Sequence, residues 1–429
     1  MSDCDETEPP DGPVGSVLDA RSIELDALRG LAVMSILAMN IVAFALPENA
    51  YIVPRVAGTG AATGGDIAAW IAAFLLFDGK MRGLFSLLFG ASMYLIAERA
   101  DMQGGSAART HYSRMAWLAV FGAAHFFLIW WGDILFLYAV IGSLAFLMKA
   151  ASRKTLIATA LIVYAAGAAL MSLSLGTLLS AEMAAHAPGA SAASIERLAH
   201  IMQGFSPATE QEEIALFRGT YGATVEYRLS QYWRPLNLLF QAGTETFPLM
   251  LLGMVGLRSG FLTGHWETRR YWLVVAILFV PGLLIYAGLA AFDMARGFDP
   301  ILSLNLVVAW SLPPRLMMTL GYAALFLLLI RWLARSALLE RIAAAGQAAF
   351  TNYLGTSIVM STIFYGYGLD LFGQVPRPAL YLFVLAACAV MLLWSKPWLD
   401  RYRYGPLEWL WRSLARGRLQ PMLKVRSGA

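Results

Sequence analysis

Apolar runs of about 20 residues recur along this 429-residue chain, and nothing else in it restricts the fold so strongly. A run of that length matches the hydrocarbon thickness of a bilayer when helical. Within hydrocarbon the backbone must satisfy its own polar groups, so such runs are helices. The composition agrees: 59% of residues are hydrophobic and 14% charged, where a soluble domain carries about a quarter charged residues. The expected fold class is therefore all-α, a polytopic integral membrane protein of about ten transmembrane helices. The spans fall at 28–46, 67–97, 115–131, 134–149, 155–178, 236–257, 271–291, 313–333, 346–366 and 378–396. The second run is too long for one crossing and is interrupted by FDGKMRG at 77–83, and Arg315 in SLPPR marks a broken entry to the eighth.

With the N-terminus in the cytoplasm, ten crossings return the C-terminus there, and about two-thirds of the 32 Lys and Arg fall on inner segments, as the positive-inside rule requires. Both termini are thus expected on the cytoplasmic side of a bacterial inner membrane. Residues 1–20 are acidic and rich in Pro and Gly, the composition of a disordered tail. They have no basic start followed by an apolar core, so no secretory signal is expected. A single transmembrane domain follows over 21–418, with a long outer loop at 179–235 and a second cytoplasmic tail at 419–429. Cys4 and Cys388 lie far apart and outside any Cys/His cluster, so neither a disulfide framework nor a metal site is expected. The net charge of +4 comes from basic residues flanking spans, which points to membrane lipids as partners and not to nucleic acid.

Polar residues inside apolar runs are the best indicators of a site. His125, in HFFLIWWGDILFLYA, lies about six residues below an outer turn, roughly 9 Å inside. A hairpin about that turn brings Tyr138 opposite His125. Asp133 sits at the mouth, where it caps the following helix and reaches the imidazole only through a bend or a water. His125 itself is either a base or a structural histidine bonded between helices. Glu245 is the deepest carboxylate, about 15 Å down. An unpaired charge there protonates or finds His125, Arg82 or Arg315. Asn40, Asp78, Arg82, Tyr138 and Arg315 form the outer-half polar set, candidates to hold a substrate. Asn40 also reads as interhelical glue, and Asp78–Arg82 as a solvated turn. At the inner end Asp26 and Arg29 share a helix face and can pair. Phosphate-loop, dinucleotide, zinc-protease and serine-elbow motifs are absent from the sequence, as are visible internal repeats.

LDALRGLAVMSILAMNI, FDGKMRGLFSLLFGASM, HFFLIWWGDILFLYAVIG, AAFTNYLGTSIV and WLDRYRYGPLEWLWRSL resemble, in order, the YeiB-like family of bacterial membrane proteins, also called domain of unknown function 418. The resemblance runs from about Arg21 to Arg418. At superfamily level that family is similar to transmembrane acyltransferases of the heparan-alpha-glucosaminide N-acetyltransferase type. The resemblance implies an acyl-CoA donor, acetyl-CoA first, taken from the cytoplasm and an acceptor acylated outside. The shared elements fall on Asp26, Arg29, Gly30, Asn40 and, more loosely, Asp78. Those relatives carry a catalytic histidine after the first span, whereas residues 41–77 here contain none.

Two functions follow as expectations. In the first, His125 is the general base of an acyltransferase, oriented by Asp133 or Glu245, with Asn40 or Arg82 at the oxyanion and Asp26 and Arg29 at the donor. The acceptor is a small molecule, glycan or lipid, and a homodimer is an allowed assembly. In the second, a proton-coupled transporter or flippase uses Glu245, His125 and Asp133 as relay groups. A membrane scaffold whose polar groups only join helices is the plainest alternative.

Overall fold

Serine and threonine set where the apolar runs begin to coil. The computed structural model describes residues 22–58 and 60–424; the tail read over 1–20 and the last residues of the 419–429 tail lie outside them. Helix α1, Ile23–Ala45, starts at Ser22, whose hydroxyl accepts the Leu25 N–H. Helix α2, Gly64–Leu76, starts in a capping box in which Thr63 and Asp66 satisfy each other's backbone donors. Then come α3 Lys80–Met102, α4 Ala107–Ile129, α5 Leu135–Phe146 and α6 Arg153–His186. The interruption expected at 77–83 narrows to Phe77–Gly79, where Gly79 takes φ +66°. That left-handed backbone favours glycine, and a Cβ there would lie 2.2 Å from Arg315 Nε.

The expected outer loop at 179–235 is helical throughout most of its length. Helix α6 runs on to His186, and α7 Ala192–Gln203, α8 Pro207–Phe217 and α9 Tyr221–Ser230 follow. Each of these three short helices is capped by the hydroxyl of Ser191, Ser206 or Thr220. Polar composition suggested a loop, but three good N-caps in forty residues favour short helices. They form a cap over one end of the bundle, fixed by Asn49 Nδ2 donating to the Gly204 carbonyl at 2.7 Å and by the Glu48 N–H donating to the Glu213 carboxylate at 3.0 Å.

Helices α10 Arg234–Arg258, α11 Thr268–Ala295, α12 Pro300–Trp310, α13 Leu312–Trp332, α14 Ala337–Gln347, α15 Ala349–Phe364, α16 Arg377–Arg401 and α17 Pro406–Arg416 complete the bundle. Arg315 does follow a break, at Ser311 between α12 and α13. The span read at 346–366 divides at Ala348 between α14 and α15, and α5 is short at 12 residues. Among the described residues, seven helices are long and apolar enough to cross a membrane. The protein is an all-α polytopic membrane protein.

Small residues let the central helices touch backbone to backbone, the usual means of packing where lipid is as apolar as the side chains. A Cβ on Gly90 would lie 2.0 Å from the Met250 carbonyl oxygen, and one on Gly253 1.9 Å from that of Leu87, so α3 and α10 meet at two glycines. Helices α1 and α14 meet in the same way at Gly30 and Gly346. Buried polar groups lie on several of these helices, among them Asp26 on α1, Lys80 on α3, His125 on α4, Glu245 on α10 and Arg315 on α13. By contrast α6, α11 and α16 expose most of their apolar surface, as lipid-facing helices do.

Candidate functional site

Helix α4 does not end as an ordinary α-helix. Its last turn, His125–Ile129, widens into a π-turn closed by Trp130 N–H donating to the His125 carbonyl at 2.9 Å. The chain then turns back through Gly132 and delivers Asp133 directly to the imidazole. His125 Nδ1 lies 2.8 Å from Asp133 Oδ1, and Asp133 Oδ2 accepts the Phe136 N–H at 2.9 Å. A carboxylate only accepts, so Nδ1 carries a ring proton, and in the neutral ring the lone pair is on Nε2. Nε2 has no hydrogen-bond partner among the described residues, and both side chains are buried. Asp133 is therefore cap and orienting group together, without the intervening water considered above. The tyrosine against His125 is Tyr353 of α15, with ring centroids 5.3 Å apart. Tyr138 instead bonds Ser86 at 2.9 Å and donates to the Arg82 carbonyl at 3.1 Å.

The second group gathers around Arg315. Its Nη1 donates to Glu245 Oε2 at 3.2 Å, and its Nη2 to Asp78 Oδ2 at 3.5 Å, the Val307 carbonyl at 2.7 Å and Ser311 Oγ at 2.7 Å. Arg82 donates to the same Glu245 oxygen at 2.5 Å, and Tyr51 bonds Asp78. Lys80, wholly buried, donates to the Phe74 carbonyl at 2.5 Å and sits 3.2 Å from the Tyr286 ring centre. Burial of so many charges is tolerable only because each meets opposite charge, a carbonyl or an aromatic face. Glu245 thus takes Arg82 and Arg315 as partners, and no hydrogen bond joins it to His125 among the described residues.

A cavity of about 470 Å³ opens on the face of the bundle where α1 begins. Arg29, Arg99, Arg114, Arg403 and Arg412 stand in its wall, beside Asp26 and Glu408. Arg29 is held by Asp26 and Ser92, each at 2.7 Å. Arg114 lies over the Trp411 ring at 4.2 Å and Arg412 over Tyr404 at 4.5 Å. Glu408 accepts the Phe350 and Thr351 N–H groups at the start of α15, at 2.7 and 3.1 Å, and burial pushes its carboxyl above the ordinary range. Deeper, Phe85, Leu88, Met115 and Leu118 make the walls apolar, and Ile134, Tyr138 and Tyr353 line the inner end.

The candidates read from sequence therefore sort into three places. His125 and Asp133 form one pair; Asp78, Arg82, Glu245 and Arg315 form one network; Asp26, Arg29 and Tyr138 line the cavity. Asn40, half-buried on α1, belongs to neither bonded group. Tyr353, Ser86, Tyr51 and the cavity arginines Arg99, Arg114, Arg403 and Arg412 were not singled out. FTNYLGTS signalled Tyr353 by its polarity, but the arginines looked like topology signals because charge alone does not show that they converge.

Similarity to known proteins agrees with this description. The family described as "Protein of unknown function (DUF418)" matches residues 257–418. The chain is 32% identical to the "Uncharacterized protein YeiB" of Escherichia coli (strain K12), over 92% of its length and 96% of that protein's. It is 31% identical to the "Uncharacterized protein YxaH" of Bacillus subtilis (strain 168), over 93% and 95%. Identity to the "Uncharacterized 39.9 kDa protein in amylase 3'region" of Bacillus acidopullulyticus is 23%, over 95% and 97%. No solved structure matches the chain. On this similarity to bacterial proteins over nearly their whole length, the chain belongs to the YeiB-like, DUF418 family.

Proposed function

We propose that this protein is an integral membrane acyltransferase of the bacterial inner membrane, moving an acyl group from a cytoplasmic acyl-CoA-type donor to an acceptor on the outer side. The observation that carries this reading is the reach of the cavity. Its mouth gathers arginines, two of them stacked on aromatic rings, and its deep end is walled by Tyr353 and Ile134 beside the His125–Asp133 pair. Arginine suits phosphate groups, and aromatic faces suit an adenine ring. The volume is that of a small-molecule site. The positive-inside rule places the arginine-rich face in the cytoplasm.

In the proposed reaction His125 Nε2 takes the proton of an acceptor hydroxyl or amine as that atom attacks the thioester carbonyl. Asp133 holds Nδ1–H and stabilises the imidazolium that forms. The C–S bond then breaks, and the proton passes to the leaving thiolate. His125 is not itself in the cavity wall, so Tyr353 turns aside for the reacting atoms to meet. The test is transfer from radiolabelled acetyl-CoA by purified protein in liposomes, compared with His125→Ala. Labelled membrane product, lost in a variant of unchanged melting temperature, is the expected result. No transfer from any short-chain acyl-CoA by folded protein overturns the reading.

A second reading, proton-coupled transport, is favoured by the buried Asp78–Arg315–Glu245–Arg82 network spanning α3, α10 and α13. Intramembrane ion networks of this kind mark proton and substrate paths. Proton or solute flux without acyl-CoA, abolished by Glu245→Gln, would select it.

A further inference from the structure

The last four carbonyls of a helix have no partner within it, and at the end of α4 an arginine from the outer cap bonds two of them. Arg228 of α9 donates from Nε to the Phe127 carbonyl at 3.0 Å and from Nη2 to the Leu128 carbonyl at 3.3 Å. Tyr221, about two helical turns earlier on α9, donates its hydroxyl to the same Leu128 carbonyl at 2.9 Å. Both carbonyls belong to the π-turn that begins at His125. Arg228 is fully buried, and its Nη1 has no partner among the described residues. No carboxylate bonds it among the described residues, so its charge is answered by the carbonyls and by the negative end of the α4 dipole.

A cation spent in this way is costly to bury, and its effect is local: it holds open a turn that would otherwise tighten or fray. The π-turn sets two positions together. It rotates the His125 ring, and it starts the reversal through Trp130–Gly132 that returns Asp133 Oδ1 to Nδ1. We propose that Arg228 is a positioning residue: by clamping the Phe127 and Leu128 carbonyls, the outer cap holds His125 and Asp133 in register. For catalysis this rests on the acyltransferase reading above; for the state of His125 it does not.

The test uses the full-length protein and reads His125 directly. Carbethoxylation by diethyl pyrocarbonate is followed at each histidine by peptide mass spectrometry. His111, on the same helix and bonded to the Gly142 carbonyl at 3.1 Å, serves as internal reference. In Arg228→Met, with the Phe127 carbonyl released and that of Leu128 left to Tyr221 alone, His125 is expected to react about tenfold faster while His111 is unchanged. Arg228→Lys, which keeps the charge but not the fork, falls between, and Tyr221→Phe gives a smaller increase with Arg228 intact. Where transfer is measurable, kcat falls in the same order with the donor KM unchanged. Wild-type reactivity of His125 in a folded Arg228→Met overturns the proposal, as does a parallel rise at His111, which would mean general loosening. If Arg228→Met does not fold, Arg228→Lys and Tyr221→Phe decide: unchanged His125 reactivity in both refutes the clamp. Absence of transfer in the wild type refutes the acyltransferase reading and leaves the reactivity comparison standing.

Discussion

Replacing Asp133 by asparagine separates its two roles, because asparagine keeps one acceptor oxygen where aspartate uses two. Oδ2 caps α5 through the Phe136 N–H at 2.9 Å, and Oδ1 holds His125 Nδ1 at 2.8 Å. The backbone N–H of Phe136 can only donate, whereas the imidazole can exchange tautomers and accept. The asparagine oxygen therefore stays on Phe136, its amide donates to Nδ1, and the ring proton moves to Nε2. Both hydrogen bonds survive with one charge removed, so stability falls by only about 1 kcal/mol. The lone pair of Nε2 is lost, and with it the base. A carboxylate-to-amide change that reverses a histidine tautomer costs about 10⁴ in rate in the Ser-His-Asp enzymes, and a loss of roughly that order is expected here. Asp133→Ala adds loss of the cap, about 1 kcal/mol more. Acetyl transfer, melting temperature in detergent, and ¹⁵N NMR of labelled histidine are the assays. An asparagine variant that transfers at the wild-type rate, or whose His125 remains protonated at Nδ1, refutes the reasoning.

Three further outcomes follow from the packing and the charges. Gly253→Ala places a methyl 1.9 Å from the Leu87 carbonyl oxygen, against roughly 3.3 Å for the closest ordinary C–H···O contact. Helices α3 and α10 must part by more than about 1 Å, and a loss of about 1–3 kcal/mol is expected in thermal unfolding; an unchanged melting temperature refutes that contact. Glu245→Leu strands Arg82 beside a half-neutralised Arg315 and costs on the order of 3–5 kcal/mol. The double variant Arg82→Leu/Glu245→Leu should be the more stable of the two, and the reverse order shows that the pair is not coupled. In the cap formed by α7, α8 and α9, burial pushes the Glu213 carboxyl up to about 7. The folded state thus favours its protonated form. The resulting stabilisation is full below the ordinary carboxylate pKa, near 4.3, and is lost as pH rises through about 7. Hydrogen exchange over 207–230 is expected to quicken across that window and to lose this dependence in Glu213→Gln; a flat wild-type profile rejects it.

Much of the architecture was legible because the bilayer makes length and hydrophobicity nearly sufficient. The long helices, the break before Lys80 and the broken entry at Arg315 all follow from apolar runs and where charge or proline interrupts them. The helical character of 187–230 was less visible, since its capping residues are also loop formers and its polarity hides the helix period. Among the site residues, Asp133 could be read as a cap from its place before an apolar helix. Its pairing with His125 could be read only as one option, through a bend or a water, because the direct contact depends on a π-turn, and a one-residue widening leaves no mark in a period of 3.6.

The sequence by itself determined that the chain is a multi-helix membrane protein, which residues are costly in hydrocarbon, and which face carries most arginines. These are properties of single segments against their solvent. Only the tertiary structure decided the partners. Glu245 had three candidates of suitable charge, and the close approach of α3 to α10 at Gly90 and Gly253, with α13 alongside, gave it to Arg82 and Arg315. The same packing left His125 to Asp133 and brought arginines from distant segments around one cavity. Partner choice is set by interhelical distances of a few ångströms, and these come from side-chain volumes on facing helices, which no one segment contains.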